Sequence, residues 1–282
     1  MEWIDICANL THESFNPDLP EVLARARAAD VRWMLVTGAS GEESMQCLDL
    51  AEKYSDCLRA TLGVHPHHAN TWNEKTGYRF AEEARNPLVV AIGETGLDFY
   101  RNHSTPLEQR RAFSAQLELA IELGLPVFLH EREASREFGD ILERYRGQLT
   151  RAVVHCFTSD AKALDRYLEM DCHIGITGWV CDERRGQDLQ RLVPRIPPER
   201  LMIETDAPYL LPRTLPPKTA RGRRNEPVFL PHIGTFIAEL RGQETAELAL
   251  QTTATARDFY SLPANPGSPE YAKSGSTPQP TS

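Results

Sequence analysis

The chain has 282 residues, 41% of them hydrophobic and 25% charged, the balance of an ordinary globular domain and not of a disordered segment. A formal net charge of −9 opposes wrapping duplex DNA by bulk electrostatics, though a local basic pocket for one or two phosphates remains open. No apolar run approaches the roughly 18 residues of a membrane span. The start, MEWIDICANL, lacks the basic and apolar stretches of a secretory signal, so a cytoplasmic protein is expected.

Short apolar runs alternate with amphipathic stretches along the chain. The expected strands are WIDICA (3–8), WMLVTG (33–38), LRATLGV (58–64), LVVAIG (88–93), PVFLH (126–130), RAVVH (151–155), CHIGIT (172–177) and RLMIET (200–205). The clearest helix is 105–124, with Thr105 as N-cap, Pro106 at the first helical position, Glu108 completing a capping box and Gly124 as the stop. Two more helices are expected at 232–241 and 245–260. Eight nearly continuous apolar strands separated by helices predict a parallel sheet covered on both faces, and at this length a closed (β/α)₈ barrel. An open doubly wound sheet is the lesser alternative, because no Gly-rich dinucleotide loop follows an early strand. The barrel is placed in residues 1–262, with 263–282, rich in Pro, Ser and Gly, as a flexible tail.

The strand ends carry the functional signal. VVAIGETGLDF runs from a buried strand straight into Glu94, although burying an unpaired carboxylate is expensive. Strand one leads to Asn9, strand three to His65 and His67, strand five to His130, strand six to His155, and strand eight to Glu204 and Asp206. In a barrel these ends meet at one mouth, and a divalent ion is the simplest way to neutralise such a set. Each residue also has a plainer reading. For His65 and His67 it is an ordinary loop. For Glu94 it is a helix cap or a pair with Arg101, and Asp98 reads as more structural than Glu94. For His130 and His155 it is a hydrogen-bonded core histidine, and for Asp206 an N-cap or salt bridge. Cys156 would point away from His155 in a continuing strand and reads as a buried thiol. The six cysteines have no CxxC pair and suit a reducing compartment. Arg101, Arg132, Arg184, Arg185, Arg213 and the run KTARGRRNEP, with Lys218, Arg221, Arg223 and Arg224, offer guanidinium forks for an anionic substrate. Trp179 and Tyr209 could stack a base or simply pack.

DICANLT, GVHPHHAN, AIGETGLDFYR, PVFLHEREA, VVHCFT, GITGWVCDERRG and IETDAPYLLPR together resemble the TatD family of metal-dependent deoxyribonucleases, from the first strand to about Tyr260. The resemblance implies a cytoplasmic (β/α)₈ metallohydrolase that removes nucleotides from the 3′ end of single-stranded DNA, or RNA, in DNA repair or nucleic-acid turnover. It implies Glu94, His130 and His155 as metal ligands and Asp206 as a ligand or the group that orients water. His65 and His67 would contact the scissile phosphate or a second ion, and Glu204 would join the catalytic set. Many members of the wider family carry His-x-His at the end of strand one; this chain has Cys7 and Asn9, and the TatD branch itself has the Asn. The missing imidazoles favour Mg²⁺ (or Mn²⁺) over tightly held Zn²⁺. A monomer is expected. The alternatives are a deacylase of mischarged aminoacyl-tRNA, an amidohydrolase of a small substrate, or a non-catalytic metal protein.

Overall fold

A computed structural model describes residues 1–216 and 224–263. Eight strands lie in one parallel sheet in consecutive order: β1 (Trp3–Ala8), β2 (Val31–Val36), β3 (Leu58–Leu62), β4 (Val89–Asp98), β5 (Val127–Arg132), β6 (Ala152–Val154), β7 (His173–Ile176) and β8 (Leu201–Ile203). Helices α1 (Leu19–Ala28), α2 (Gly41–Lys53), α3 (Glu74–Glu83), α4 (Pro106–Leu123), α5 (Ser135–Arg146), α6 (Ala161–Glu169) and α7 (Gln187–Leu192) connect successive strands. Helices α8 (Leu230–Arg241) and α9 (Thr245–Tyr260) follow β8. The sheet curls into a nearly closed barrel, as expected. Lys218, Arg221 and Arg223 lie outside the described residues, as does the stretch from 264 onward that was read as a tail.

Where β8 meets β1 the ladder is short, and side chains complete the seam. Asn9 N donates to Ala207 O at 2.7 Å and Asp206 N to Cys7 O at 2.9 Å. Below them the fully buried Asp5 carboxyl accepts from Thr205 N at 2.9 Å and lies 2.6 Å from Thr205 Oγ1. Burial pushes the Asp5 carboxyl up to about 8 against the pull of those hydrogen bonds, so it favours the neutral form that suits a buried seam.

Helix α4 carries the local signals expected of it. Thr105 and Glu108 form the capping box, and Gly124 closes the helix in the left-handed region at φ 65°. The strand limits need correction. β2 sits two residues earlier than 33–38, and β3 stops at Leu62, before the 3₁₀ turn Pro66–Thr71. β4 does not end at Gly93 but continues to Asp98, with a register irregularity between Ile92 and Thr95. Gly93 and Gly96 allow this, at φ 143° and 148°. A Cβ on Gly93 would stand 2.1 Å from Phe128 O, and one on Gly96 1.9 Å from His130 O, so β4 presses against β5 more closely than any side chain permits.

Candidate metal centre

The mouth of the barrel holds a cavity of about 570 Å³. His12, His65, His67, His68, His103, His130 and His155 line it, seven of the chain's nine histidines, together with Glu94, Asp98 and Asp206. Within the β4 irregularity the Glu94 side chain turns inward, and its Oε1 gathers three imidazoles. His155 Nε2 lies 2.7 Å away, His130 Nδ1 2.8 Å and His65 Nε2 3.3 Å. Glu94 is therefore a mid-strand hub; Arg101, its alternative partner, instead faces the Tyr100 ring.

Burial alone would raise the Glu94 carboxyl, but the charges of His155 and His65 and the hydrogen bonds of His130 and His155 hold it well below the usual carboxylate range. Burial would likewise lower His155 and His130. The carboxylates outweigh it: Glu94 and Glu204 push His155 well above its ordinary value, and Asp98 and Glu94 push His130 up. The favoured protons on these two rings supply positive charge among carboxylates, the task a divalent cation performs in such a set. His65 behaves differently. Burial lowers it to about 4, so it stays neutral.

β3 ends at Leu62 and does not continue through His65 and His67. His65 caps the 3₁₀ turn, its Nδ1 accepting from His67 N at 3.0 Å, and the two rings meet edge-on at 4.2 Å. The pair divides its partners, with His65 on Glu94 and His67 Nε2 2.8 Å from Asp98 Oδ2. Asp98 is thus both structural and part of the pocket. Oδ1 accepts from Tyr100 N and Arg101 N, while Oδ2 reaches His67 and lies 3.4 Å from His130 Nε2.

Past β8, Asp206 adopts φ 55°, which turns its side chain toward strand one. Asn9 Nδ2 donates to Asp206 Oδ1 at 3.0 Å, and Cys7 Sγ is 3.6 Å from the same oxygen. Burial, reinforced by Glu94 and Glu204 against the opposing charge of His155, lifts the Asp206 carboxyl to about 7. Glu204 is fully buried; its Oε1 accepts from Cys156 N at 2.5 Å, and its Oε2 is 3.4 Å from His155 Nδ1. Gly175 makes room for it, since a Cβ there would stand 2.7 Å from Glu204 Oε1.

Three buried polar atoms in this centre, His130 Nε2, His155 Nδ1 and Glu204 Oε2, have no hydrogen-bond partner. Orphaned nitrogen and oxygen donors side by side in a buried site fit a divalent ion. Ligand atoms of His65, Glu94 and His130 lie within 4.8 Å of one another, and a second such group joins Cys7, His155 and Glu204. All seven residues expected at the site, His65, His67, Glu94, His130, His155, Glu204 and Asp206, belong to this one constellation.

The surroundings correct two further expectations. Cys156 is not a buried thiol facing away: β6 ends at Val154, φ 44° turns Cys156 inward, and it lines the cavity half-buried. Of the arginines, Arg101 and Arg132 reach the mouth, and Arg132 stacks over Tyr100 at 4.3 Å. Arg185 and Arg213 are instead both committed to Asp182 at 3.0 Å, and Arg224 pairs with Asp18 and Glu226. Trp179 and Tyr209 do line the cavity. His12 and His103 were missed; both lie in loops following β1 and β4, where the strand-end rule extends to loop residues.

A parallel eight-stranded barrel whose mouth gathers imidazoles and carboxylates defines a metal-dependent hydrolase. The family model for TatD related DNase matches residues 4–261. A protein of Edwardsiella piscicida named 3′-5′ ssDNA/RNA exonuclease TatD is 51% identical over 259 residues, covering 92% of this chain and 99% of that one. One of the same name from Klebsiella pneumoniae is 51% identical over 93% of this chain and 98% of its own. Among solved structures, YJJV, a TatD homolog from Escherichia coli K12, superposes with a TM-score of 0.84 at 27% identity, covering 93% of this chain and 98% of that one. The chain belongs to the TatD-related DNase family, and is a metal-dependent hydrolase acting on phosphodiester bonds. No helix among the described residues is long and apolar enough to cross a membrane.

Proposed function

We propose that this chain is a cytoplasmic, monomeric 3′-5′ exonuclease of single-stranded DNA or RNA that works with Mg²⁺, serving DNA repair or nucleic-acid turnover. The observation that carries the reading is the convergence of three imidazoles on Glu94, in a chain half identical over nearly its whole length to proteins named for this activity. Glu94, His130, His155 and Asp206 would hold the ion, with His65 close to Glu94. A bound divalent ion supplies Lewis acidity toward a phosphoryl oxygen and toward water.

The chain's own side chains do the rest. Asn9 fixes the Asp206 carboxylate, which orients the attacking water and takes its proton. Asp98 orients His67, which reaches the open mouth and can hand a proton from its ring to the leaving 3′ oxygen. Glu204 sets the backbone turn at Cys156 and faces His155. Arg101 and Arg132 offer their guanidinium groups to substrate phosphates on one rim, and Trp179 and Tyr209 offer stacking faces on another.

A single-stranded oligonucleotide labelled at its 5′ end, incubated with protein and Mg²⁺, should shorten stepwise. EDTA and the Glu94→Ala substitution should both stop it. An oligonucleotide left intact across Mg²⁺, Mn²⁺ and Zn²⁺ would reject the nuclease and move the search to aminoacyl esters of tRNA.

A further inference from the structure

Just outside the mouth one aromatic ring is left open to solvent and held by cations. Tyr100 is 54% exposed, with the Arg132 guanidinium 4.3 Å from its ring centre and that of Arg101 at 5.9 Å. Beside it lies a second cavity, of about 850 Å³, between α4 and α5. The two cavities share a wall. Asp98 and Arg132 are register partners at the ends of β4 and β5, and both line the mouth. The next residue on each, Phe99 and Glu133, lines the second cavity, and Phe99 N donates to Arg132 O at 3.0 Å. Tyr100 follows Phe99 and touches Arg132, so it stands on that wall. The charges differ between the two flanks. Of the carboxylates in the second cavity, Glu137 is held by Arg110 and Asp140 by Arg166, which leaves Glu133. Among the described residues no carboxylate pairs with Arg101, Arg132, Arg136 or Arg144. On the opposite rim Asp182 already takes Arg185 and Arg213. In a chain of net charge −9, this concentration of unpaired guanidinium groups marks the flank open to a polyanion.

The polarity of the strand follows from the chemistry, and here the inference rests on the exonuclease reading. Water's oxygen forms the new bond to phosphorus, the bond to the 3′ oxygen of the retained strand breaks, and that oxygen takes a proton. His67 is the group placed to give it, and its partner is Asp98, the neighbour of Arg132 in the ladder. The retained strand therefore belongs on the β4–β5 side, and the released nucleotide on the side of Trp179 and Tyr209. We propose that the retained single strand leaves the mouth over this wall, one base stacked on Tyr100 and its phosphates on Arg132, Arg136 and Arg144 along the α4–α5 groove. A guanidinium can face a ring and fork to a phosphate at once, so Arg132 fixes base and backbone together. Unpaired bases are free to lie against a ring, whereas a duplex keeps them stacked on one another. Because every base has a π-face, the groove reads strand length and not sequence.

The test follows fluorescence anisotropy as the full-length chain, in Mg²⁺, binds a 5′-labelled oligothymidine of about 10 nucleotides. A phosphorothioate at the 3′-terminal linkage protects it from cleavage. Tyr100→Ala should weaken binding about 10-fold, the scale of one base–aromatic stack, and Tyr100→Phe should bind as the wild type does. Arg136→Ala combined with Arg144→Ala should lower the slope of log affinity against log salt by about 1.4, two contacts at about 0.7 each. Arg191→Ala combined with Arg195→Ala, an equal change of charge elsewhere on the surface, should leave affinity and slope unchanged. All five side chains are exposed, so the variants should fold. An abasic site moved along the oligonucleotide should abolish the Tyr100→Ala penalty at one position on the 5′ side of the terminal nucleotide. Abolition at the terminal nucleotide alone reverses the polarity and overturns the proposal. So does wild-type affinity in Tyr100→Ala, an unchanged slope in the Arg136 and Arg144 variant, or an equal loss in the Arg191 and Arg195 variant. Those outcomes, with the wild type still binding, leave the exonuclease reading intact; a wild type that does not bind the oligonucleotide overturns both.

Discussion

The two ends of the barrel are built from the same strands and do opposite things. At the N-terminal end the inward side chains are apolar: Ile4, Ile6, Leu35, Val90, Val153 and Met202 pack with Phe259, Tyr260 and Leu262 from the end of α9 and the residues after it. At the C-terminal end the same strands present Glu94, His130, His155 and Glu204. One end is a plug that satisfies itself; the other is a set of charges that needs a cation. The boundary is sharp, since the Phe128 ring lies 4.6 Å from that of His155. A barrel can therefore carry a costly polar cluster because its apolar half supplies the stability, and the two halves should fail in different ways.

The largest effect is expected at the mouth. Glu94→Gln keeps the shape of the hub and removes its charge, and should lower turnover by about 10⁴-fold, the several kcal/mol that a metal's electrostatic assistance supplies. It should still unfold cooperatively in urea. Full activity in this variant would remove Glu94 from the centre. At the other end, Phe259→Ala empties a fully buried site and should cost about 3–5 kcal/mol of stability. Urea titration measures the loss, and turnover per folded molecule at low temperature should remain near wild type. A parallel loss of turnover would show that the ends are coupled.

Smaller effects probe the boundary. Gly175→Ala places a Cβ within contact of Glu204 Oε1, so it should shift that carboxylate and slow turnover by about 10–100-fold, with modest change in the urea midpoint. The smallest effect is expected at the seam. Asp5 binds its proton more tightly in the folded chain, at about 8, than its ordinary value of 3.8. Its contribution to stability is therefore complete below about pH 4 and declines as pH rises toward about 8. Asp5→Asn, which can keep the Thr205 contacts by reorienting the hydroxyl, should flatten the fall of the urea midpoint across that range. Identical pH profiles for the two proteins would exclude Asp5 as its source.

Much of the site was legible because βα barrels expose strand ends, and the residues at those ends are chemically distinctive. Glu94, His130, His155 and Asp206 could be picked out by position alone. What escaped was decided by backbone geometry without a period-two signature. Cys156 takes positive φ, which redirects its side chain away from the pattern of a continuing strand. Asp98 joins the pocket only because β4 runs on past Gly93. The arginines illustrate the opposite error: Arg185 and Arg213, distant in sequence, converge on Asp182 and not on the pocket, a pairing that only tertiary contact can establish.

The sequence by itself determined the alternation of strands and helices, the caps of α4 and the chemical types at the strand ends, since these follow from local propensity and hydrophobic period. Tertiary structure alone decided which of these side chains meet. Cys7, read from sequence as a missing imidazole, lies 3.6 Å from Asp206 Oδ1 because curling the sheet brings β1 against the segment following β8. Glu94 became a hub because two glycines let β4 press on β5. Both depend on distances between residues far apart in the chain, and neither distance is encoded in any local run of residues.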